Sequence, residues 1–151
     1  MKRAIAVVVL IAAVSLPYHY YEHSYAPRAH YKKFADEILH RRYDAAAAMT
    51  DGISASDLEK QGSQEHIGAG PAMFQTLFPS HYTIESSDMS EGTLTLHAVQ
   101  TVYFNPPGVE SAIRPAMYAK LNQTVSLRKK SDGWKVTSFE NKFASMDSVG
   151  R

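Results

Sequence analysis

The hydrophobic pattern of this chain changes period near its middle, from about 3.6 residues to about 2, so helices must come first and strands afterwards. In the first half Tyr31, Phe34, Ala35, Ile38 and Leu39 recur at three- and four-residue spacing. With Pro27 suited to a first turn, they predict an amphipathic helix running to about His40. Arg41-Arg42-Tyr43 breaks the apolar register, and Asp44 can cap a short second helix from Ala45 to Met49. Ser54 or Ser56 can cap another turn through Asp57-Leu58-Glu59. Gly68-Ala69-Gly70-Pro71 then reads as a stop and restart before the amphipathic run Met73, Phe74, Leu77 and Phe78.

The strands are read from alternation. Tyr82 to Ser86 is a first strand. Thr93 to Phe104 is a longer one, with Leu94, Leu96, Ala98, Val102 and Phe104 on one face and Thr93, Thr95, His97, Thr101 and Tyr103 on the other. Asn105-Pro106-Pro107-Gly108 ends it. A third strand from about Met117 to Arg128 puts Leu121, Val125 and Leu127 on one face, and Ser131-Asp132-Gly133 turns it into Trp134 to Phe139. The expected fold class is therefore α+β, with N-terminal helices packed on a curved antiparallel sheet.

The N-terminus obeys a different logic. Lys2 and Arg3 precede Ala4 to Leu16, where Ser15 is the single polar residue, and then come Pro17 and Tyr18, Tyr20, Tyr21 and Tyr25. Two cations before an apolar run is the layout of a secretory signal. Ala13-Val14-Ser15 offers small residues for cleavage. An uncleaved anchor is the alternative, since tyrosines at the water interface can complete a short apolar span. The expected organisation is a signal or anchor with aromatic linker over 1–26, a domain over 27–144 and a tail over 145–151. Membrane contact is expected through residues 4–21. The domain would then stand in the cell envelope, anchored in the inner membrane and facing the periplasm, or be secreted if the signal is cut.

Composition excludes several functions. The chain has 151 residues, 44% of them hydrophobic, enough for one core. Its formal charge is +1, so it lacks the basic footprint of a nucleic-acid binder. With no cysteine there is no disulfide framework, thiolate metal site or cysteine nucleophile. The seven histidines fall into a linker group, His19, His23 and His30, and a scattered set, His40, His66, His81 and His97, and no metal is expected. No glycine loop of the phosphate-binding kind and no Gly-x-Ser-x-Gly elbow occurs, so no cofactor is expected.

Three stretches in order carry a family resemblance: Tyr43-Asp44-Ala45-Ala46 opening the second helix, Gly70-Pro71-Ala72-Met73 opening the third, and the closing hairpin Ser131-Asp132-Gly133-Trp134-Lys135-Val136. From about Pro27 to Phe143 the chain resembles the NTF2-like superfamily, also called SnoaL-like or cystatin-like. The resemblance implies a sheet curved around the first helix to form a cone with a pocket. It departs from the family between the second and third helices, where the stretch is too short and polar for the usual early strand. The superfamily holds enzymes, ligand binders and assembly modules, so function has to be read from a site.

Polar interruptions of the inward faces are the residues to weigh. Gln100 is in phase with Ala98 and Val102, and Gln123 with Leu121 and Val125. A buried amide needs partners, so these two glutamines and Tyr31 on the helix are the candidate ligand-binding residues; solvated strand ends for the glutamines and core packing for Tyr31 are the plain alternatives. Asp36 lies on the first helix off the apolar stripe, and His97 lies on the strand face opposite the leucines. They are the weak catalytic candidates that the resemblance to steroid-isomerase-like members suggests, and parity points both away from the pocket. The expected function is a non-catalytic, membrane-tethered module that binds a small apolar ligand or a protein partner; the family resemblance implies pairing with a second copy through the sheet face. A SnoaL-like or ketosteroid-isomerase-like enzyme with Tyr31, His97 and Gln123 about its cavity is the alternative.

Overall fold

A computed structural model describes residues 15–62, 78–106, 109 and 114–150. Helical residues 15–20 run into a π-helical turn, Tyr21–Tyr25, and on without a break into α1, Ala26–Leu39. Two short helices follow, α2 (Tyr43–Ala48) and α3 (Ala55–Gly62). Four strands complete the fold: β1 (His81–Ser90), β2 (Thr93–Phe104), β3 (Met117–Lys130) and β4 (Gly133–Ser148). They pair antiparallel in the order β1-β2-β3-β4, a meander. The α+β class expected from the change of period is the class observed.

The first helix does not begin at Pro27. A proline inside a helix lacks the N–H that its preceding turn requires and crowds a carbonyl one turn back. Here the chain widens that turn instead of ending, with Ala26 N–H donating to Tyr21 O, five residues back. The Glu22 carbonyl takes a bond from outside the helix, from the Trp134 indole N–H at 3.0 Å. Glu22 also pairs through its carboxylate with Lys129. The turn between β3 and β4 is thereby fastened to the helix entering the domain.

Tyr31, Phe34, Ala35 and Ile38 of α1 are buried against Leu94, Leu96 and Ala98 of β2, Val125 and Leu127 of β3, and Trp134, Val136 and Phe139 of β4. Phe34 meets Phe139 edge to face at a ring separation of 5.0 Å, and Tyr31 meets Tyr82 at 5.9 Å, both favourable aromatic geometries. A second cluster, Val102, Phe104, Ala119 and Leu121, lies at the far end of the sheet under Leu39. Bulges in β1 between Ile84 and Ser86, and in the β3–β4 ladder near Leu121 and Leu127, bend the strands and curve the sheet over α1. Glu91 and Gly92 turn β1 into β2 with φ of 48° and 75°, the double positive that a tight hairpin demands.

Between α2 and α3 the chain makes one isolated bridge to the sheet. Thr50 pairs parallel with Val136, with Asp51 N–H donating to Val136 O and Val136 N–H to Met49 O. Ser54 caps α3: its Oγ accepts from Asp57 N–H at 3.1 Å and its hydroxyl donates to the Asp57 carboxylate at 2.8 Å. At the far end Asn105 Oδ1 accepts from Ala116 N–H and closes the base of the loop between β2 and β3.

β4 continues to Ser148, past residue 144 where the sequence pattern ended the domain. The apolar residues 4–14 of the expected membrane segment, and Met73, Phe74 and Leu77 of the expected third helix, lie outside the described residues. Among the described residues no helix is long and apolar enough to cross a membrane. Leu16, Tyr18, Tyr20, Tyr21 and Tyr25 on the entering helix are all exposed.

Candidate functional site

A polar row crosses the inner face of the sheet. Strand alternation turns Tyr82, Gln100, Gln123 and Asn141 inward, and the register sets Tyr82 opposite Gln100 and Gln123 opposite Asn141. Gln100 and Gln123 are 1% and 2% exposed, so neither is a solvated strand end. Tyr31, fully buried on α1, donates its hydroxyl proton to Gln123 Oε1 at 2.6 Å. Gln123 Nε2 donates to Gln100 Oε1 at 2.8 Å and to Asn141 Oδ1 at 3.1 Å. Gln100 Nε2 donates to the Tyr82 hydroxyl at 3.1 Å and to Ser80 Oγ at 3.3 Å, and Tyr82 donates to Asp36 Oδ1 at 3.1 Å.

The chain of bonds has one direction, and the carboxylate fixes it. An ionised Asp36 accepts only, so the Tyr82 hydroxyl must donate to it and accept from the Gln100 amide. That orients Gln100, which orients Gln123, which leaves Tyr31 as donor. Chains of this kind polarise along their length and are costly to leave half made. Both N–H groups of each glutamine amide are used inside the protein.

Burial pushes the Tyr31 phenol above its ordinary range. Tyr82 is also pushed up, first by burial, then by the charge of the Asp36 carboxylate and by donating to it. Both phenols therefore stay neutral and act as hydrogen-bond donors, unavailable as bases.

The row reaches the surface at Asp36, Ser80 and Tyr82. There an open groove of about 560 Å³ is lined by Lys32, Lys33, Asp36 and His40 from α1 and by Phe78, Pro79, Ser80 and Tyr82. His40 Nδ1 lies 2.8 Å from the Asp36 backbone carbonyl and 3.8 Å from its carboxylate Oδ2. Asp36 lies off the buried stripe of α1, as its spacing predicts, and borders this open groove, where the Tyr82 hydroxyl of β1 reaches it. Among the described residues no group of three or more histidine, aspartate or glutamate side chains is gathered to hold a metal ion.

Tyr31, Gln100 and Gln123 are thus brought together, and Asp36 joins them through Tyr82. His97 is not part of the group: it is exposed on the outer sheet face, with Nδ1 3.3 Å from Thr124 Oγ1. Sequence reasoning missed Tyr82, Ser80 and Asn141. The spacing Phe139, Asn141, Phe143 carried a usable signal, since Asn141 falls in phase between two aromatics.

No protein-family model and no curated relative matches the chain. Among solved structures it is similar to a protein from Novosphingobium aromaticivorans provisionally described as an aromatic ring hydroxylase. That likeness spans 82% of this chain and 93% of that one, at 10% identity and a TM-score of 0.40. A likeness so distant carries no argument about activity.

Proposed function

We propose that this chain is a membrane-tethered, extracytoplasmic module of the NTF2-like type that binds a small apolar ligand or a protein partner and performs no chemistry. The observation that carries the reading is the closed state of the interior. In an open cone Tyr31, Gln100 and Gln123 would face a ligand; in this chain their polar groups satisfy one another, and Tyr31 is fully buried. Binding then falls to the groove at the end of the row, where Phe78 and Pro79 offer an apolar wall. The tether rests on the apolar run before Leu16 and on the exposed tyrosines that follow it. The NTF2-like assignment rests on the order of elements, with α1 under a curved meander sheet.

A second reading has one observation in its favour. Asp36 stands in the groove with Tyr82 donating to it, and a carboxylate beside a neutral phenol is the kind of pair an isomerase-like enzyme uses as base and oxyanion donor. The two readings part on turnover. The full chain is incubated with small aromatic and alicyclic ketones and carboxylates, and the small molecules are followed by proton NMR. The binding reading predicts broadened ligand resonances and unchanged compounds. Conversion of any of them, abolished by Asp36→Asn, would establish the enzyme instead.

A further inference from the structure

The groove has a charge character that the polar row alone does not explain. Lys32 and Lys33 both line it and are exposed, Asp36 is engaged by Tyr82 and faces His40 at 3.8 Å, and Phe78 and Pro79 form the apolar wall. Two ammonium groups against one carboxylate give the groove an excess of positive charge. Two residues that line it carry hydroxyls: Ser80, whose oxygen accepts from Gln100 and whose hydroxyl also hydrogen-bonds Tyr82, and Tyr82 itself, which donates to Asp36. A cationic rim and a short apolar wall match a carboxylate on a flat apolar body. A neutral molecule would gain nothing from the two lysines, and a cation would be repelled by them.

We infer that this groove is a binding site for a small organic monoanion whose carboxylate lies between Lys32 and Lys33, beside Ser80, and whose apolar body rests on Phe78 and Pro79. Asp36 sets the limit on charge: a dianion would bring its second charge against that carboxylate. The inference rests on the binding reading above and narrows it from an apolar ligand to an amphipathic anion.

Three near-isosteric probes separate charge from shape: benzoate, benzamide and benzamidine. They are titrated into the full chain in a non-ionic detergent, and backbone amide resonances are followed by NMR. Benzoate should shift Lys33, Ser80 and Tyr82 and bind at least threefold more tightly than benzamide, with benzamidine weakest, as exposed ion pairs permit. The double variant K32Q/K33Q should weaken benzoate by roughly threefold to tenfold and leave benzamide unchanged. The distal variant K142Q, whose lysine pairs with Glu140, should change nothing. Equal binding of benzoate and benzamide, or tighter binding of benzamidine, overturns the anion inference while the binding reading stands. No shift in the groove with any probe overturns the site itself. Chemical conversion of benzoate sinks the non-catalytic reading and leaves the site in place.

Discussion

Replacing Gln123 by leucine keeps the volume of the side chain and removes the centre of the polar row. Three groups lose a partner: the Tyr31 hydroxyl, Gln100 Oε1 and Asn141 Oδ1, which now bond Gln123 at 2.6, 2.8 and 3.1 Å. Each unsatisfied buried group costs about 1–3 kcal/mol, and the added apolar burial of leucine returns roughly 1–2 kcal/mol. The expected loss for Gln123→Leu is about 3 kcal/mol, a large part of the ~5–15 kcal/mol by which a domain is stable. Tyr31→Phe alone strands only the Gln123 carbonyl and should cost about 1–2 kcal/mol. The double variant no longer contains the stranded tyrosine hydroxyl. It should be less destabilised than the sum of the two by about 1–2 kcal/mol, a coupling only groups in contact show. The assay is urea unfolding followed by the fluorescence of Trp134, the single tryptophan. Strict additivity, or a Gln123→Leu protein within about 0.5 kcal/mol of the parent, would refute the closed row.

Three further outcomes follow from the same structure. Burial lowers the pKa of His30, reinforced by the charges of Lys135 and Lys33 and opposed by its bond to the Met49 carbonyl. Its folded value lies below the unfolded ~6.5, so its contribution is fully present above that pH and is lost as pH falls through the folded value. His30→Gln should flatten the fall in urea midpoint between about pH 7.5 and about pH 5, and an unchanged slope would contradict this. Tyr31 and Tyr82 are shifted the other way, so their contribution is whole below about pH 10 and is lost as pH rises beyond it. Ultraviolet difference titration should find both still protonated above about pH 10, and their ionisation at that pH would count against their burial. Trp134→Phe strips the Glu22 carbonyl of its donor at a cost of about 1 kcal/mol, and hydrogen exchange should quicken across Tyr21–Ala26; unchanged protection there would separate the indole from the helix junction.

Much of the architecture could be read from period alone. β2 runs from Thr93 to Phe104 as its alternation predicts, and the inward stripe of α1 is Tyr31, Phe34, Ala35 and Ile38. The errors have physical causes. Pro27 looked like a helix start, and the chain absorbed it by widening a turn, whose Glu22 carbonyl takes its hydrogen bond from Trp134, 112 positions along the chain. β4 was cut short at Phe139 because Glu140, Asn141 and Lys142 are polar. The pairing of Lys142 with Asn122 and Phe143 with Leu121 carries the strand on, and strand propensity contains no information about that ladder.

The site was legible by half. Gln100 and Gln123 stood out as polar residues at inward positions, and an inward amide is conspicuous in any alternating strand. Their bonding to each other was hidden, since it needs the register between β2 and β3. The bond between Asp36 and Tyr82 was hidden in the same way, since it joins α1 to β1 across 46 residues. His97 was correctly placed on the outer face by alternation.

The central claim is that ligands meet the groove beside α1 while the row behind it stays closed. The most direct test is a search for nuclear Overhauser contacts between bound benzoate and the side-chain amide protons of Gln100 and Gln123 in the full chain. The account predicts contacts to Ser80 and Tyr82 at the groove and none to the Gln123 amide. A strong contact between benzoate and that amide would mean that the interior opens into a ligand cavity, and would contradict it.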